Sequence, residues 1–197
     1  MSKTTQQVSR ATLVTGPTSE PVTLLEAKKQ CELSPSDTAH DDHLTLLIAA
    51  AREQWEHDTD SACLTQTWSV TADCFSDDEI YLPKRPIASI THLKYYDSNN
   101  TQQTLATTYY SLDPACRAVR LKYLQTWPVT LVRWDAVTIT YVAGYASAAL
   151  VPSIHKQAMR LLIGKYFENR DLLSNDLIYT DRAYEALVHR FMRSNYP

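Results

Sequence analysis

Glycine is scarce in this chain of 197 residues, which has only Gly16, Gly144 and Gly164. Loops that cradle a nucleotide phosphate need several glycines, because a backbone without Cβ atoms can approach the phosphate closely. The scarcity therefore excludes dinucleotide-binding and P-loop motifs. Gly164 falls inside an apolar helical pattern, where glycine costs about 1 kcal/mol relative to alanine. Its presence there predicts a neighbour packed too close for a Cβ atom.

Cysteine is also sparse, and the four residues form no Cys-x-x-Cys pair: they are Cys31, Cys63, Cys74 and Cys116. Zinc sites and thioredoxin-type redox sites depend on that short spacing. A domain of this size has no need of disulfide staples, so the sequence predicts four reduced, largely buried thiols.

Long hydrophobic runs and an excess of one charge are missing as well. The longest nearly apolar stretches, such as Leu46 to Ala51, fall far below the ~20 residues of a membrane span. The first sixteen residues are polar and lack the apolar core of a signal peptide, so neither secretion nor membrane insertion is expected. Lys and Arg number 19 against 22 Asp and Glu, a net charge of -3, which gives no general attraction to nucleic acid or anionic lipid.

Apolar periodicity divides what remains into helical and strand-like regions. Residues 1–20 are rich in Thr, Ser, Gln and Pro without a period, which predicts a flexible N-terminal arm. Thr23 and Glu26 form a capping-box pair that predicts a short helix ending near Leu33. A longer helix is predicted from about Asp41 to His57, since its apolar residues repeat every three or four positions.

The period changes to two between residues 64 and 145, which predicts five to seven short antiparallel strands. Helical spacing returns after Pro152, and a final helix is predicted from Asp181 to about Asn195. The predicted fold is therefore α+β. A helical core from residues 21–62 and 146–197 carries an inserted antiparallel β lobe, residues 63–145.

Five stretches, in this order and spacing, resemble the head-tail connector, or adaptor, proteins of long-tailed bacteriophages and gene transfer agents. They are "EPVTLLEAKK", "DDHLTLLIAAAREQWEHDT", "LPKRPIASITHLKYYDSNN", "VTITYVAGY" and "VPSIHKQAMRLLIGKYFENRD". The resemblance runs from about Pro21 to Asp171, and the segment from Leu172 onward matches only in being helical.

The resemblance implies a structural virion protein that is not an enzyme and uses no cofactor or metal. Members of this family form a ring, generally of twelve copies, between the portal and the stopper or tail-completion protein. DNA passes through the channel of such a ring without sequence-specific binding. The implied location is the neck of the virion, after assembly in the host cytoplasm, with no membrane partner.

Two groups of residues, one acidic and one that combines apolar and basic side chains, are candidates for contacts in such a ring. Asp77, Asp78 and Glu79 are candidates to face the channel, where negative charge would keep DNA from adhering, although a charge run in a loop is more often only solvated. The last helix is the candidate contact with the portal. Its apolar anchors and the arginines that could pair with acidic groups are Tyr184, Leu187, Phe191, Arg190 and Arg193.

Other functions find less support in the sequence. The run His40 to His43, "HDDH", suggests a metal site, but adjacent residues at a helix start point in different directions, so helix capping and dipole interactions are favoured. No nucleophile, base and orienting group share a known catalytic spacing. The alternative function is a DNA-binding accessory protein that uses the basic C-terminal helix, for which Arg182 and His189 would add phosphate contacts.

Overall fold

A computed structural model of the chain describes residues 8–75, 79–113, 118–168 and 177–194. The chain divides into two compact units. One contains the chain up to Pro17 together with Thr65–Gly144, and the other contains Thr18–Leu64 together with the chain from Tyr145 onward. The strands belong to the first unit and the helices to the second. The α+β class predicted from the sequence is therefore confirmed.

The sheet unit holds eight strands within the described residues. They are β1 (Val8–Thr15), β2 (Gln66–Ala72), β3 (Glu79–Tyr81), β4 (Ile87–Tyr96), β5 (Gln102–Thr104), β6 (Tyr110–Asp113), β7 (Ala118–Leu121) and β8 (Val137–Ala143). A five-stranded antiparallel sheet has the order β1-β2-β8-β4-β5, and a three-stranded antiparallel sheet has the order β3-β7-β6.

Strand β8 is the centre of the larger sheet, and its alternation explains why. Val137, Ile139 and Tyr141 are buried, whereas the threonines between them are only half-buried. In the register, Ile139 lies between Val70 of β2 and Leu93 of β4, so apolar side chains from three strands meet on one face. This row forms the middle of the sheet unit's core.

Strand β1 is a correction to the sequence analysis, which expected a flexible arm over residues 1–20. Its residues Val8–Thr15 pair with β2 along the edge of the five-stranded sheet. The segment lacks the alternation used to recognise strands, because both of its faces are exposed from Arg10 to Thr15. β-Branched residues and the free edge of β2 are sufficient to order it. The sheet unit therefore contains chain segments that come both before and after α1 and α2 in the sequence, so it is not solely an insertion.

The helical unit holds four α-helices within the described residues: α1 (Leu24–Gln30), α2 (Asp41–Asp58), α3 (Ser153–Glu168) and α4 (Leu177–Ser194). The capping box predicted for α1 is present, since Glu26 N–H donates to Thr23 Oγ1 at 3.2 Å and Thr23 N–H donates to Glu26 Oε2 at 2.8 Å. Helix α2 begins at Asp41 as predicted, and its first turn carries Asp41 and Asp42 at the positive end of the helix dipole.

The core of the helical unit forms around Trp55 of α2, which is fully buried. Its largest members come from α2 and α3 and include Leu44, Ile48, Met159 and Ile163. The chain leaves this unit after Leu64 and returns at Tyr145, and those two residues form a parallel β-bridge. Gly144 makes the bend just before the return with φ 101°, a conformation that only glycine adopts without strain.

Gly164 is buried in α3, but the crowding predicted from the sequence is not there. A Cβ atom at this position would lie 3.5 Å from Gln30 Nε2 and 3.7 Å from Gln30 Cγ, which are ordinary contact distances. Replacing Gly164 with alanine is therefore expected to raise the free energy of unfolding by about 0.5–1 kcal/mol. For a chain of this length the melting temperature should rise by about 1–4 °C.

The control for this substitution is Ala158→Gly in the same helix, which should lower the melting temperature by more than this amount, because it also removes a fully buried methyl group. A scan of both variants by circular dichroism measures the two shifts together. A lower melting temperature for Gly164→Ala would show that Gln30 cannot yield and that glycine is required for packing.

Candidate interaction surface

The loop between β7 and β8, residues 122–136, exposes an unusual amount of apolar surface. Five of its large hydrophobic side chains are more than four-fifths exposed: Tyr123 (89%), Leu124 (83%), Val129 (81%), Val132 (100%) and Trp134 (86%). Single exposed hydrophobic residues are normal, but a concentration of this kind is typical of an interaction site. We call this segment the β7–β8 loop.

The β7–β8 loop is held in place by contacts along its length. Leu131 N–H donates to the carbonyl oxygen of Tyr96 at 3.0 Å, and the Arg133 guanidinium lies 4.1 Å from the centre of the Tyr96 ring. Trp127 stacks on Phe75 with ring centres 4.7 Å apart and planes 3° from parallel. A surface fixed in this way loses little conformational entropy when a partner covers it.

Backbone strain lies near the start of the same loop. Leu124 has φ 60°, in the left-handed region that costs a residue with a Cβ atom about 1–2 kcal/mol. Its side chain is exposed, so burial within the chain does not compensate this cost. Strained residues concentrate at functional sites. The strain therefore agrees with a functional role for the loop.

Two shallow depressions flank the loop. One, of about 440 Å³, has the stacked Phe75 and Trp127 among its lining residues, and the other, of about 480 Å³, has Trp134 and Asp73 among them. Cys74 borders both depressions. These two depressions beside the apolar loop are large enough to accept side chains of a partner.

Sequence reasoning missed this loop. The stretch "KYLQTWPVTLVRWD" is apolar without a period of either two or 3.6, so it matched neither a strand nor a helix. Apolar residues that fit no regular element, between two strands, are themselves a signal of exposed hydrophobic surface. The pattern could have been found by that criterion alone.

The acidic candidates for a channel surface fall largely outside the description. Asp77 and Asp78 lie beyond the described residues, and Glu79 is the first residue of β3. Glu79 pairs with Arg120 across the strands at 2.6 Å and accepts a hydrogen bond from the Tyr81 hydroxyl. The Tyr81 hydrogen bond, followed by Arg120, holds the pKa of the Glu79 carboxyl below its usual value. This carboxylate is thus part of a cross-strand ion pair, and its relation to DNA stays a prediction.

The apolar residues of α4 pack against the protein's own helical core. Tyr184 is 7% exposed, and its hydroxyl donates to Asp58 Oδ2 at 2.7 Å. Phe191 packs its ring against Trp55 and His155, with ring centres 5.6 and 4.7 Å apart. Burial, with a further contribution from Asp58, raises the pKa of Tyr184. These two side chains anchor α4 to its own chain, which corrects the expectation that they anchor a partner.

What α4 offers to a partner is its exposed side. Leu187 is half-buried and Arg190 is exposed, and both border a groove of about 510 Å³ together with Ser153, Ile154 and Gln157 of α3. The side chain of Arg193 lies outside the described part of the chain. Portal contact through α4 therefore stays a prediction, carried by Leu187 and Arg190.

The "HDDH" run forms no metal site. Asp41 pairs with Lys28 at 2.6 Å, and His40 and His43 both contact the ring of Phe167. Across the described ranges, no group of three His, Cys, Asp or Glu side chains could hold a metal ion. His40 precedes α2 as its N-cap residue, but its side chain makes no capping hydrogen bond. The run therefore contributes to α2 mainly through Asp41 and Asp42, which lie at the positive end of the helix dipole.

Cys63 and His155 form a pair that sequence reasoning also missed. Cys63 Sγ lies 3.8 Å from His155 Nδ1, and both residues are fully buried beside Trp55. Burial, with Glu56 as the next contribution, raises the pKa of the Cys63 thiol, which disfavours the thiolate. A nucleophilic cysteine needs the opposite environment. The pair is a buried contact within the helical core.

None of the helices in the described ranges combines the length and the apolar character that crossing a bilayer requires.

The fold of this chain is shared with chains from gene transfer agent (GTA) particles. One, from the virion of a native GTA particle, is 22% identical with a TM-score of 0.75. Two others, from the neck of an empty particle computed with C6 symmetry and of a native particle computed with C12 symmetry, are each 23% identical, with TM-scores of 0.75 and 0.66. Each comparison covers 92% of this chain and 94% of the other. No protein-family model and no curated protein matches the chain.

Proposed function

We propose that this chain is a structural protein of the neck of a phage-like particle, where it acts as the adaptor between the portal and the stopper or tail. The observation that carries the proposal is the shared fold, which extends over 92% of this chain and 94% of chains from GTA necks. A likeness that spans both units is more informative than one confined to a single domain. The role is architectural, without catalysis, cofactor or metal.

The proposed assembly is a ring of twelve copies around a channel through which DNA passes. The similar neck chain computed with C12 symmetry supports that number. A closed ring is built from head-to-tail contacts, in which one surface of each copy meets a different surface of the next. The exposed apolar residues of the β7–β8 loop agree with such an assembly, since an isolated protein rarely leaves so many uncovered.

The proposed contact with the portal is the groove between α3 and α4. Arg190 is exposed at its border and is suited to pair with an acidic group. Replacing Arg190 with glutamate is expected to weaken binding to the portal at least tenfold, because like charges would then face each other. Bio-layer interferometry with immobilised portal protein measures the change.

The matched control is Arg182→Glu, which makes the same charge change at another exposed position of the same helix. Its binding to the portal should stay close to that of the unmodified chain, and both variants should keep the original melting temperature. Equal weakening by the two variants would mean that only overall charge matters, and unchanged binding of Arg190→Glu would remove this groove as the contact.

The adaptor proposal as a whole is tested by cryo-electron microscopy of the chain purified together with the portal protein encoded nearest to it. A rotationally symmetric ring stacked on the portal would support the proposal and give the copy number. No association with the portal, combined with DNA binding that falls steeply with salt, would favour a DNA-binding accessory protein instead.

A further inference from the structure

Two surfaces of the sheet unit are left uncovered in a single copy, and they differ in kind. The β7–β8 loop presents apolar side chains, and β1 presents a free strand edge. We propose that the two surfaces meet between copies, with β1 of one copy packed against the β7–β8 loop of the next. This inference rests on the proposed ring, and the contact it describes is the one between neighbouring copies in that ring.

The size of the loop surface fits one side of a stable interface. Counting about 200 Å² for each exposed aromatic residue and about 60–100 Å² for each aliphatic one, the five side chains offer roughly 600 Å². A standard interface buries about 800 Å² on each partner, of which a little over half is apolar. The loop alone supplies that apolar share.

Strand β1 has the properties of a strand that a partner covers. Among the described residues its outer edge has no neighbour in the five-stranded sheet, and Leu13 and Val14 are 46% and 58% exposed. Proteins usually protect such an edge with lysine, proline or inward-pointing charge, because unpaired backbone groups invite another chain. The sequence of β1, "VSRATLVT", has no lysine or proline, and its one charge, Arg10, and two register irregularities lie near the two ends of the strand. The exposed side chains of Leu13 and Val14 at this edge are suited to contact with another chain.

Charge complementarity favours a second copy as the occupant. Arg10 is the only charged residue of β1, and it is exposed. Asp73 and Asp135 are exposed at the base of the β7–β8 loop, where Asp135 N–H donates to Asp73 Oδ1 at 3.3 Å. Placing β1 along the loop brings the guanidinium of one copy towards two carboxylates of the next. Each copy then uses two different surfaces, as a ring requires.

The contact can be tested by disulfide cross-linking of the full-length chain. Leu13→Cys and Val132→Cys are introduced together after Cys31, Cys74 and Cys116 have been replaced with serine, and the remaining Cys63 is fully buried. The two new cysteines cannot bridge within one copy. Val132 borders the same depression as Asp73, which follows the end of β2 at Ala72. Leu13 pairs with Trp68, four residues before that end, so it lies about 13 Å from it, beyond the ~7 Å limit for a disulfide.

A contact between β1 and the loop should produce a ladder of covalent dimers, trimers and larger species under mild oxidation. Each variant with one introduced cysteine should give no species larger than a dimer, because one accessible cysteine joins at most two chains. The parent with three serine replacements shows the background. Val132→Glu should weaken association at least tenfold in sedimentation, whereas Leu46→Glu, at a 70% exposed leucine of α2, should leave it unchanged.

The possible failures are distinguishable. A wild-type ring without a ladder, together with a Val132→Glu variant that still assembles, would overturn this contact and leave the adaptor proposal standing. A wild-type chain that stays monomeric both alone and with the portal would overturn the ring, and this contact with it.

Discussion

Replacing Arg52 with methionine is expected to lower the free energy of unfolding by about 3–5 kcal/mol. Arg52 is 7% exposed in α2, and its guanidinium donates to Glu20 at 2.9 Å and to Glu56 at 3.0 Å. Burial alone would lower the pKa of Arg52, but Glu56 and Glu20 raise it, so the group stays charged. Methionine would leave Glu56, also 7% exposed, as a buried carboxylate without its guanidinium.

The effect of the buried charge is isolated by comparison with Glu53, the third carboxylate that pairs with Arg52. Glu53 accepts a hydrogen bond from Arg52 at 3.2 Å, but its side chain is 70% exposed. Solvent screens that pair, so Glu53→Gln should change stability by less than about 1 kcal/mol. Adding Glu56→Gln to Arg52→Met should recover part of the loss, because the buried charge is then gone. Urea unfolding followed by circular dichroism measures all three, and equal losses for Arg52→Met and Glu53→Gln would contradict the prediction.

Replacing Phe191 with aspartate is expected to lower the free energy of unfolding by a similar amount, about 3–5 kcal/mol or more. The ring of Phe191 lies against Trp55 and His155 in the helical core, so the substitution removes aromatic contacts and places a carboxylate there. The expected result is a helical unit from which α4 detaches. Loss of assembly by this variant would then reflect damage to the fold and would carry no information about a partner.

Arg190→Asp is the matched control, since it puts the same carboxylate one residue earlier on the exposed side of α4. It should change the free energy of unfolding by less than about 0.5 kcal/mol. Limited proteolysis reports whether α4 has detached, and thermal melting gives the size of the loss. A Phe191→Asp protein as stable and as protease-resistant as the control would show that α4 does not depend on this contact.

The features that the sequence predicted correctly are those set by local chemistry. The capping box of Thr23 and Glu26, the start of α2 at Asp41 and the alternation of β8 each depend on residues close together in the chain. Local hydrogen bonds and side-chain periodicity determine such features almost regardless of the rest of the molecule. That is why the α+β class could be predicted correctly.

The features that it missed depend on partners distant in the chain. Strand β1 is ordered by the edge of β2, more than fifty residues away. The sequence "VSRATLVT" shows no apolar alternation that would predict a strand. The sequence shows an apolar face on α4, but it could not show that Trp55 of the same chain packs against Phe191 on that face. Cys63 and His155 are likewise brought together only by the fold.

The central place of β8 also determines when the protein can fold during synthesis. Val137–Ala143 lies between β2 and β4, so neither strand has its inner neighbour until residue 143 has left the ribosome. The helices that close the other unit, α3 and α4, are made later still. Both units can therefore be completed only when the C-terminal part of the chain is present, and the growing polypeptide carries incompletely paired strands and an open core for most of its translation.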